Sequence, residues 1–192
     1  MKLTNLITSL KKSPIVNKDG YHYVIHPITD GIPEITPPLL KEVTEALKER
    51  IQSFTPFDRI VTMEAMGIPL ASALSLDMDI PFTIIRKRSY GLPDEQPVKQ
   101  KTGYSESTLF INGLKENDSV IIVDDVLSTG GTLKAVLHTL QNMNITVKAV
   151  FVAVDKGEVA NKLSKETGIP IKSLVHIRVS KDTVTVDEDQ SW

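Results

Sequence analysis

The run Val120-Ile121-Ile122-Val123-Asp124-Asp125-Val126-Leu127-Ser128-Thr129-Gly130-Gly131-Thr132-Leu133-Lys134 constrains this chain more than any other segment. An apolar strand ends in two carboxylates, a Ser/Thr/Gly turn follows, and a helix begins. Such a unit belongs in a parallel sheet, where the crevice above the carboxyl ends of the strands is the expected ligand site. Gly130 and Gly131 allow the backbone to approach a ligand closely. The amides opening the helix and the hydroxyls of Ser128, Thr129 and Thr132 can hold a phosphate monoester. Asp124 and Asp125, directly upstream, suit ribose hydroxyls or a divalent cation, so the whole describes a phosphorylated sugar held at both ends. A Gly-Gly turn alone would be an ordinary strand-to-helix connection. The adjacent acidic pair, ending a strand otherwise fit for burial, is not explained by packing. Neither G-x-G-x-x-G nor G-x-x-x-x-G-K-[ST] occurs, which excludes dinucleotide and Walker readings.

The surrounding pattern supports an α/β chain with a mostly parallel central sheet flanked by helices. Thr36-Pro37 forms an N-cap and first-turn pair, and Leu40, Val43, Leu47 and Ile51 recur at helical spacing, which predicts a helix over 37–52 with an apolar stripe for core or dimer contact. Strands are expected at 57–63, 80–85, 108–112, 120–123 and 147–154, with short terminal strands at 173–178 and 183–186. Helices are expected at 67–76, 131–143 and 158–167. The first 35 residues read as a short strand at 21–25 and an irregular connection. Residues 86–106 break the alternation as a flexible basic loop. Within 86–101, Arg86, Lys87, Arg88, Lys99 and Lys101 face only Asp94 and Glu95, among Gly91, Pro93 and Pro97. A loop of that length in a compact domain is usually functional or disordered.

A length of 192 residues fits one domain. The absence of cysteine removes disulfide scaffolds, thiolate zinc sites and cysteine nucleophiles together. No apolar run reaches the ~20 residues of a membrane helix, and the N-terminus lacks a signal-peptide core, so a soluble cytoplasmic protein without membrane partners is expected. With 22 basic and 24 acidic residues, a net charge of −2 gives no general case for nucleic acid.

Val120–Thr132 resembles the phosphoribosyl pyrophosphate signature of type I phosphoribosyltransferases. Glu64-Ala65-Met66-Gly67 is similar to the glutamate-containing turn of the adenine-type enzymes, followed as in them by a strand ending in Arg86-Lys87-Arg88. His26–Pro33 resembles their proline-rich N-terminal segment, and Val152-Ala153-Val154-Asp155-Lys156-Gly157 the equivalent stretch of bacterial xanthine enzymes. The overall resemblance is to the archaeal hypoxanthine/guanine group, which is adenine-enzyme-like in layout.

The resemblance implies the type I phosphoribosyltransferase fold as one domain over 1–192, with a small hood contributed by about 1–35 and 155–192. It implies that a purine displaces pyrophosphate from phosphoribosyl pyrophosphate in a homodimer, with Mg2+ carried mainly through substrate and Asp124 and Asp125 as its candidate protein contacts. Asp124, Asp125, Arg86 and Tyr104 would be catalytic. Asp124, Asp125, Ser128, Thr129, Gly130, Gly131 and Thr132 would hold ribose and 5′-phosphate. Glu64, Arg86, Lys87 and Lys101 would face pyrophosphate, and Lys156 and Ile25 the base. Where the adenine enzymes have glutamate and arginine, this chain has Gly103 and Met66. Ser128 stands where human-type enzymes have an acidic residue proposed as general base, so no base is assigned.

Several side chains carry two readings. Glu64 either meets pyrophosphate through metal or caps a helix. Lys99 and Lys101 also fit a solvated face, and Lys156-Gly157 an ordinary turn. At a strand end beside the crevice, the Lys156 ammonium donates hydrogen bonds and cannot accept them, favouring a 6-oxopurine over a 6-aminopurine. His22 and His26 lie in the hood segment, and the spacing of His138 and His176 suggests no metal site. The expected activity is hypoxanthine and guanine salvage. Adenine or xanthine transfer remains open, as does a regulator that senses phosphoribosyl pyrophosphate without catalysis, although no helix pair for DNA is read in the first 35 residues.

Overall fold

A computed structural model describes residues 2–18, 20–102 and 105–188; the side chains of 18, 100–102 and 105–107 lie outside the described set. In chain order the elements are α1 (Thr4–Lys11), β1 (Ile15–Lys18), β2 (Tyr21–Val24), α2 (Pro27–Asp30), α3 (Pro37–Ile51), β3 (Arg59–Met63), α4 (Gly67–Met78) and β4 (Phe82–Ile85). They continue with β5 (Gln96–Thr102), β6 (Ser105–Ile111), β7 (Ser119–Leu127), α5 (Gly131–Asn142), β8 (Thr146–Lys156), α6 (Val159–Thr167), β9 (Ile171–Val179) and β10 (Val184–Glu188). The central sheet has the order β10-β9-β8-β7-β3-β4. All its pairings are parallel except that of the edge strand β10 with β9.

Alternation along β7 explains the layers. Ile121 and Val123 face the cluster formed with Val43 and Leu47 of α3 and Leu70 and Leu74 of α4. Val120 and Ile122 face Leu133, Val136 and Leu140 of α5 and Leu163 of α6. Both faces of a parallel strand are buried, which is why its sequence reads as an unbroken apolar run. Of the expected α3 stripe, Val43, Leu47 and Ile51 are core and Leu40 packs against it partly buried, with Leu39 the buried residue of the first turn, which resolves the choice left between core and dimer surface in favour of core.

Three expectations are corrected. First, the N-terminal 35 residues contain a helix. Leu3, Leu6 and Leu10 are fully buried, and the amides at the start of α1 are satisfied from α3. The Glu42 carboxylate accepts from Asn5 N (3.0 Å), Asn5 Nδ2 (3.0 Å) and Leu6 N (2.8 Å). Second, the segment read as a flexible loop over 86–106 contains β5, which pairs antiparallel with β6 from Gln96↔Ile111 to Thr102↔Ser105. Val98, Leu109 and Ile111 anchor this hairpin in the core beside α5. Third, the C-terminal segment expected in the hood extends the main sheet as β9 and β10. What stands over the strand ends from the N-terminal side is the β1–β2 hairpin and α2, which touch β9 and β7. Among the described residues no helix is long and apolar enough to cross a membrane.

Candidate active site

The carboxyl end of β7 outlasts its neighbour. Its pairing with β3 stops at Ile122, whereas pairing with β8 continues to Leu127↔Asp155. Asp124 and Asp125 therefore emerge beside the β3–α4 turn, on the wall of a cavity of about 480 Å³. Glu64, Lys87, Ser128, Thr129, Gly130 and Thr132 also line it, with Thr108 and Leu109 from the hairpin and an apolar floor that includes Val150 and Val152 of β8. The acidic pair, the phosphate-type loop and the pyrophosphate-side candidates Glu64 and Lys87 are thus brought to one place.

Gly130 has φ +77° and ends the turn in the left-handed region, where a side chain would be strained. It is also packed from below, since a Cβ there would lie 3.1 Å from Val159 and 3.3 Å from Leu163. The twelve-residue α5 then starts at Gly131 without a side-chain cap, so its first amides and its positive dipole end face the turn. Gly131 itself borders the opposite side of the loop.

Asp124 and Asp125 are held together, with Asp125 N donating to Asp124 Oδ1 at 3.0 Å. Burial pushes the Asp124 carboxyl up. Burial first, and then the neighbouring Asp124 charge, raises Asp125, to which Asp30 of α2 adds a smaller repulsion. Such a pair retains a proton until hydroxyl donors or a cation compensate it.

Gly67 opens α4 against this pair. A Cβ on it would lie 2.2 Å from Thr62 Oγ1, 2.6 Å from Asp124 Oδ1 and 3.2 Å from Val123 O. The preceding Glu64 does not cap α4. Its carboxylate accepts from Arg86 Nε (2.8 Å) and from Lys87 N (3.1 Å), and these bonds, the backbone one foremost, hold its pKa below the ordinary glutamate range. Arg86 is tied by Glu64 and by backbone bonds in both directions with Phe110, and it does not line the cavity. Met66, at the place of the adenine enzymes' arginine, packs under the hood: a Cβ on Gly31 would meet Met66 Cε at 3.3 Å.

A second cavity, about 370 Å³, lies between the hood hairpin and the ends of β8 and β9. Tyr21, His22, Lys156, Gly157, Ile177, Arg178 and Val179 line it. Tyr21 joins the two cavities, its hydroxyl standing 3.4 Å from Ser128 Oγ. Lys156 is held in register by its neighbour. The fully buried Asp155 carboxylate accepts from Val159 N and Ala160 N at 3.0 Å each, and meets His176 Nδ1 at 3.1 Å. Asp155 thereby caps α6 from the strand and fixes the turn at Gly157, while burial raises its pKa.

Of the remaining candidates, Ile25 follows β2, gives its amide to Pro14 O and lines neither cavity. Lys101 lies on β5 with its side chain outside the described residues, as Tyr104 does entirely. His26 is structural. Its Nδ1 accepts from Ile28 N, its Nε2 meets Ser9 Oγ at 2.8 Å, and burial lowers its pKa to about 4. His138 faces Asn142 on α5. Sequence reasoning missed Tyr21, Thr62, Asp155 and His176. Only Asp155 carried a legible signal, an acid closing an apolar strand before a glycine turn.

Comparison with known proteins agrees with this geometry. Residues 34–167 match the phosphoribosyl transferase domain. The curated hypoxanthine/guanine phosphoribosyltransferase of Methanocaldococcus infernus is 50% identical over 178 residues, covering 93% of this chain and 97% of the relative. That of Ferroglobus placidus is 50% identical over 184 residues, covering 96% and 97%. Among solved structures, adenine phosphoribosyltransferase from Thermoanaerobacter pseudethanolicus superposes with a TM-score of 0.73 at 22% identity, covering 91% of this chain and 99% of that one.

Proposed function

Since the chain belongs to the phosphoribosyltransferase family, we propose that it is a purine salvage enzyme converting hypoxanthine and guanine, with phosphoribosyl pyrophosphate, to IMP and GMP. The C1′–O bond to pyrophosphate breaks, the bond from C1′ to the purine nitrogen forms, and the proton on that nitrogen is released. The loop over 128–132 holds the 5′-phosphate through backbone amides and hydroxyls. Asp124 and Asp125 accept from the ribose hydroxyls and place negative charge beside a ring that becomes oxocarbenium-like. Preorganised charge of this kind is usually the largest catalytic contribution. Lys87 faces the departing pyrophosphate, while Glu64 aims Arg86 and the Lys87 amide from the adjoining turn. Lys101 and Tyr104 remain candidates for the same end of the site.

A half-buried and a buried carboxylate, both with raised pKa values, suit a hard cation with oxygen ligands. Mg2+ would be held mainly by the substrate, with Asp124 and Asp125 beside it; among the described residues no group of three or more metal-ligating side chains occurs. When bound, Mg2+ neutralises the charge of the leaving pyrophosphate. A homodimeric, cytoplasmic enzyme without nucleic-acid partners completes the reading; exposed Tyr90 and Leu92, next to the Arg86–Arg88 segment, offer apolar surface to a second copy.

The observation that carries the choice of base is Lys156, on the wall of the hood cavity and braced by Asp155. An ammonium there rewards a 6-oxo acceptor and leaves a 6-amino donor unpaired, a mismatch able to supply large discrimination. Lys156→Ala should lose hypoxanthine and guanine turnover while melting within about 0.5 kcal/mol of the parent, as half-exposed positions usually do. An unchanged rate with 6-oxopurines would refute the assignment.

A further inference from the structure

Thr62 is the least explained polar residue of the fold. It lies in the middle of β3 with no exposure, and its Oγ1 has no hydrogen-bond partner among the described residues. Its neighbours on the strand, Ile60, Val61 and Met63, are all apolar core. Valine would fill the same volume without an orphaned hydroxyl, and an unpaired buried hydroxyl costs stability. What surrounds that hydroxyl is the ribose end of the site. The point where a Cβ on Gly67 would sit is 2.2 Å from Thr62 Oγ1 and 2.6 Å from Asp124 Oδ1. The missing side chain of Gly67 therefore leaves a gap across which a donor faces a carboxylate. Asp124 Oδ1 accepts from Asp125 N at 3.0 Å, and a carboxylate oxygen can accept more than one hydrogen bond.

We propose that Thr62 is a positioning residue for the transfer reaction: when ribose binds, its hydroxyl donates to Asp124 Oδ1 and holds that carboxylate against the sugar. The inference rests on the proposed function for its substrate. Thr62 is fully buried and does not line the cavity, so it touches no reacting atom. The unpaired hydroxyl of the free protein is then a polar group kept in reserve for the liganded one.

The test compares Thr62→Val and Thr62→Ser with the parent by calorimetric titration with ribose 5-phosphate and with inorganic phosphate, by steady-state kinetics, and by thermal melting. Thr62→Val should weaken ribose 5-phosphate, and lower kcat/KM for phosphoribosyl pyrophosphate, by about tenfold or more, the worth of one hydrogen bond to a charged group. Inorganic phosphate, read by the 128–132 loop, should bind within about twofold, with an unchanged or raised melting temperature; Thr62→Ser should restore ribose binding. Thr62→Val binding ribose 5-phosphate as the parent does would overturn the proposal, as would a loss that Thr62→Ser shares. If the parent turned over no purine, the functional reading would fall, yet the ribose 5-phosphate comparison would still decide the role of Thr62.

Discussion

Gly67→Ala is a small substitution for which the structure sets a large consequence. The added methyl would lie 2.2 Å from Thr62 Oγ1, 2.6 Å from Asp124 Oδ1 and 3.2 Å from Val123 O. Neither β3 nor β7 can yield easily, since both are interior strands of the sheet. Overpacking of this kind costs about 1–3 kcal/mol. Alanine returns up to about 1 kcal/mol as the better helix former, which leaves a net loss of up to about 2 kcal/mol. At about 2–4 °C per kcal/mol for a chain of this length, that lowers the melting temperature by up to about 8 °C. The atom most free to move is the Asp124 carboxylate, and a displacement of about 1 Å in such a group can cost about 10²-fold in rate. Thermal melting and steady-state nucleotide formation measured on the same preparation separate the two effects. A Gly67→Ala protein with the parent's melting temperature and the parent's kcat would refute the argument that this glycine exists to seat Asp124.

Further outcomes follow from the titrating groups. The folded pKa values of Asp124 and Asp125 are raised, so the fold binds a proton more tightly than the unfolded chain, and the stability of the ligand-free protein falls as pH rises above the ordinary carboxylate range. Asp125→Asn should therefore flatten that fall and raise the melting temperature at pH 8 while impairing nucleotide formation; an unchanged melting profile from pH 5 to 8 would contradict it. His26 has the opposite dependence. With its folded pKa lowered to about 4, its contribution is complete above about 6.5 and is lost as pH falls through the interval, a total on the order of 3 kcal/mol. His26→Asn, which keeps an acceptor for the α2 cap, should unfold less steeply with acid between those values in denaturant titrations.

The sequence and the structure differ where stabilising partners are distant. The β7–turn–α5 unit was legible because strand, acids, glycines and helix are contiguous, so each local preference agrees with the fold. Helix α1 was not, although Leu3, Leu6 and Leu10 have helical spacing. It is short, Leu3 supplies no side-chain cap, and its first amides are closed by Glu42 from another helix. Strand β5, unlike its partner expected at 108–112, was hidden by Pro97 and by the single apolar side chain Val98 in a run of polar residues. An outer ribbon tolerates that composition once Val98, Leu109 and Ile111 reach the core. In the site, Asp124, Asp125 and the phosphate-type loop could be read directly. Thr62 could not, because nothing in Ile60-Val61-Thr62-Met63 announces that the threonine points at Gly67, the first residue of the following helix.

The central claim is that this chain transfers a phosphoribosyl group to 6-oxopurines. Its most direct measurement is nucleotide formed from phosphoribosyl pyrophosphate and Mg2+ with hypoxanthine, guanine, xanthine and adenine in parallel. IMP and GMP should form fastest, with adenine far behind. Adenine turning over fastest would contradict the role given to Lys156, and no turnover with any purine would contradict the account as a whole, leaving a protein that senses phosphoribosyl pyrophosphate without catalysis.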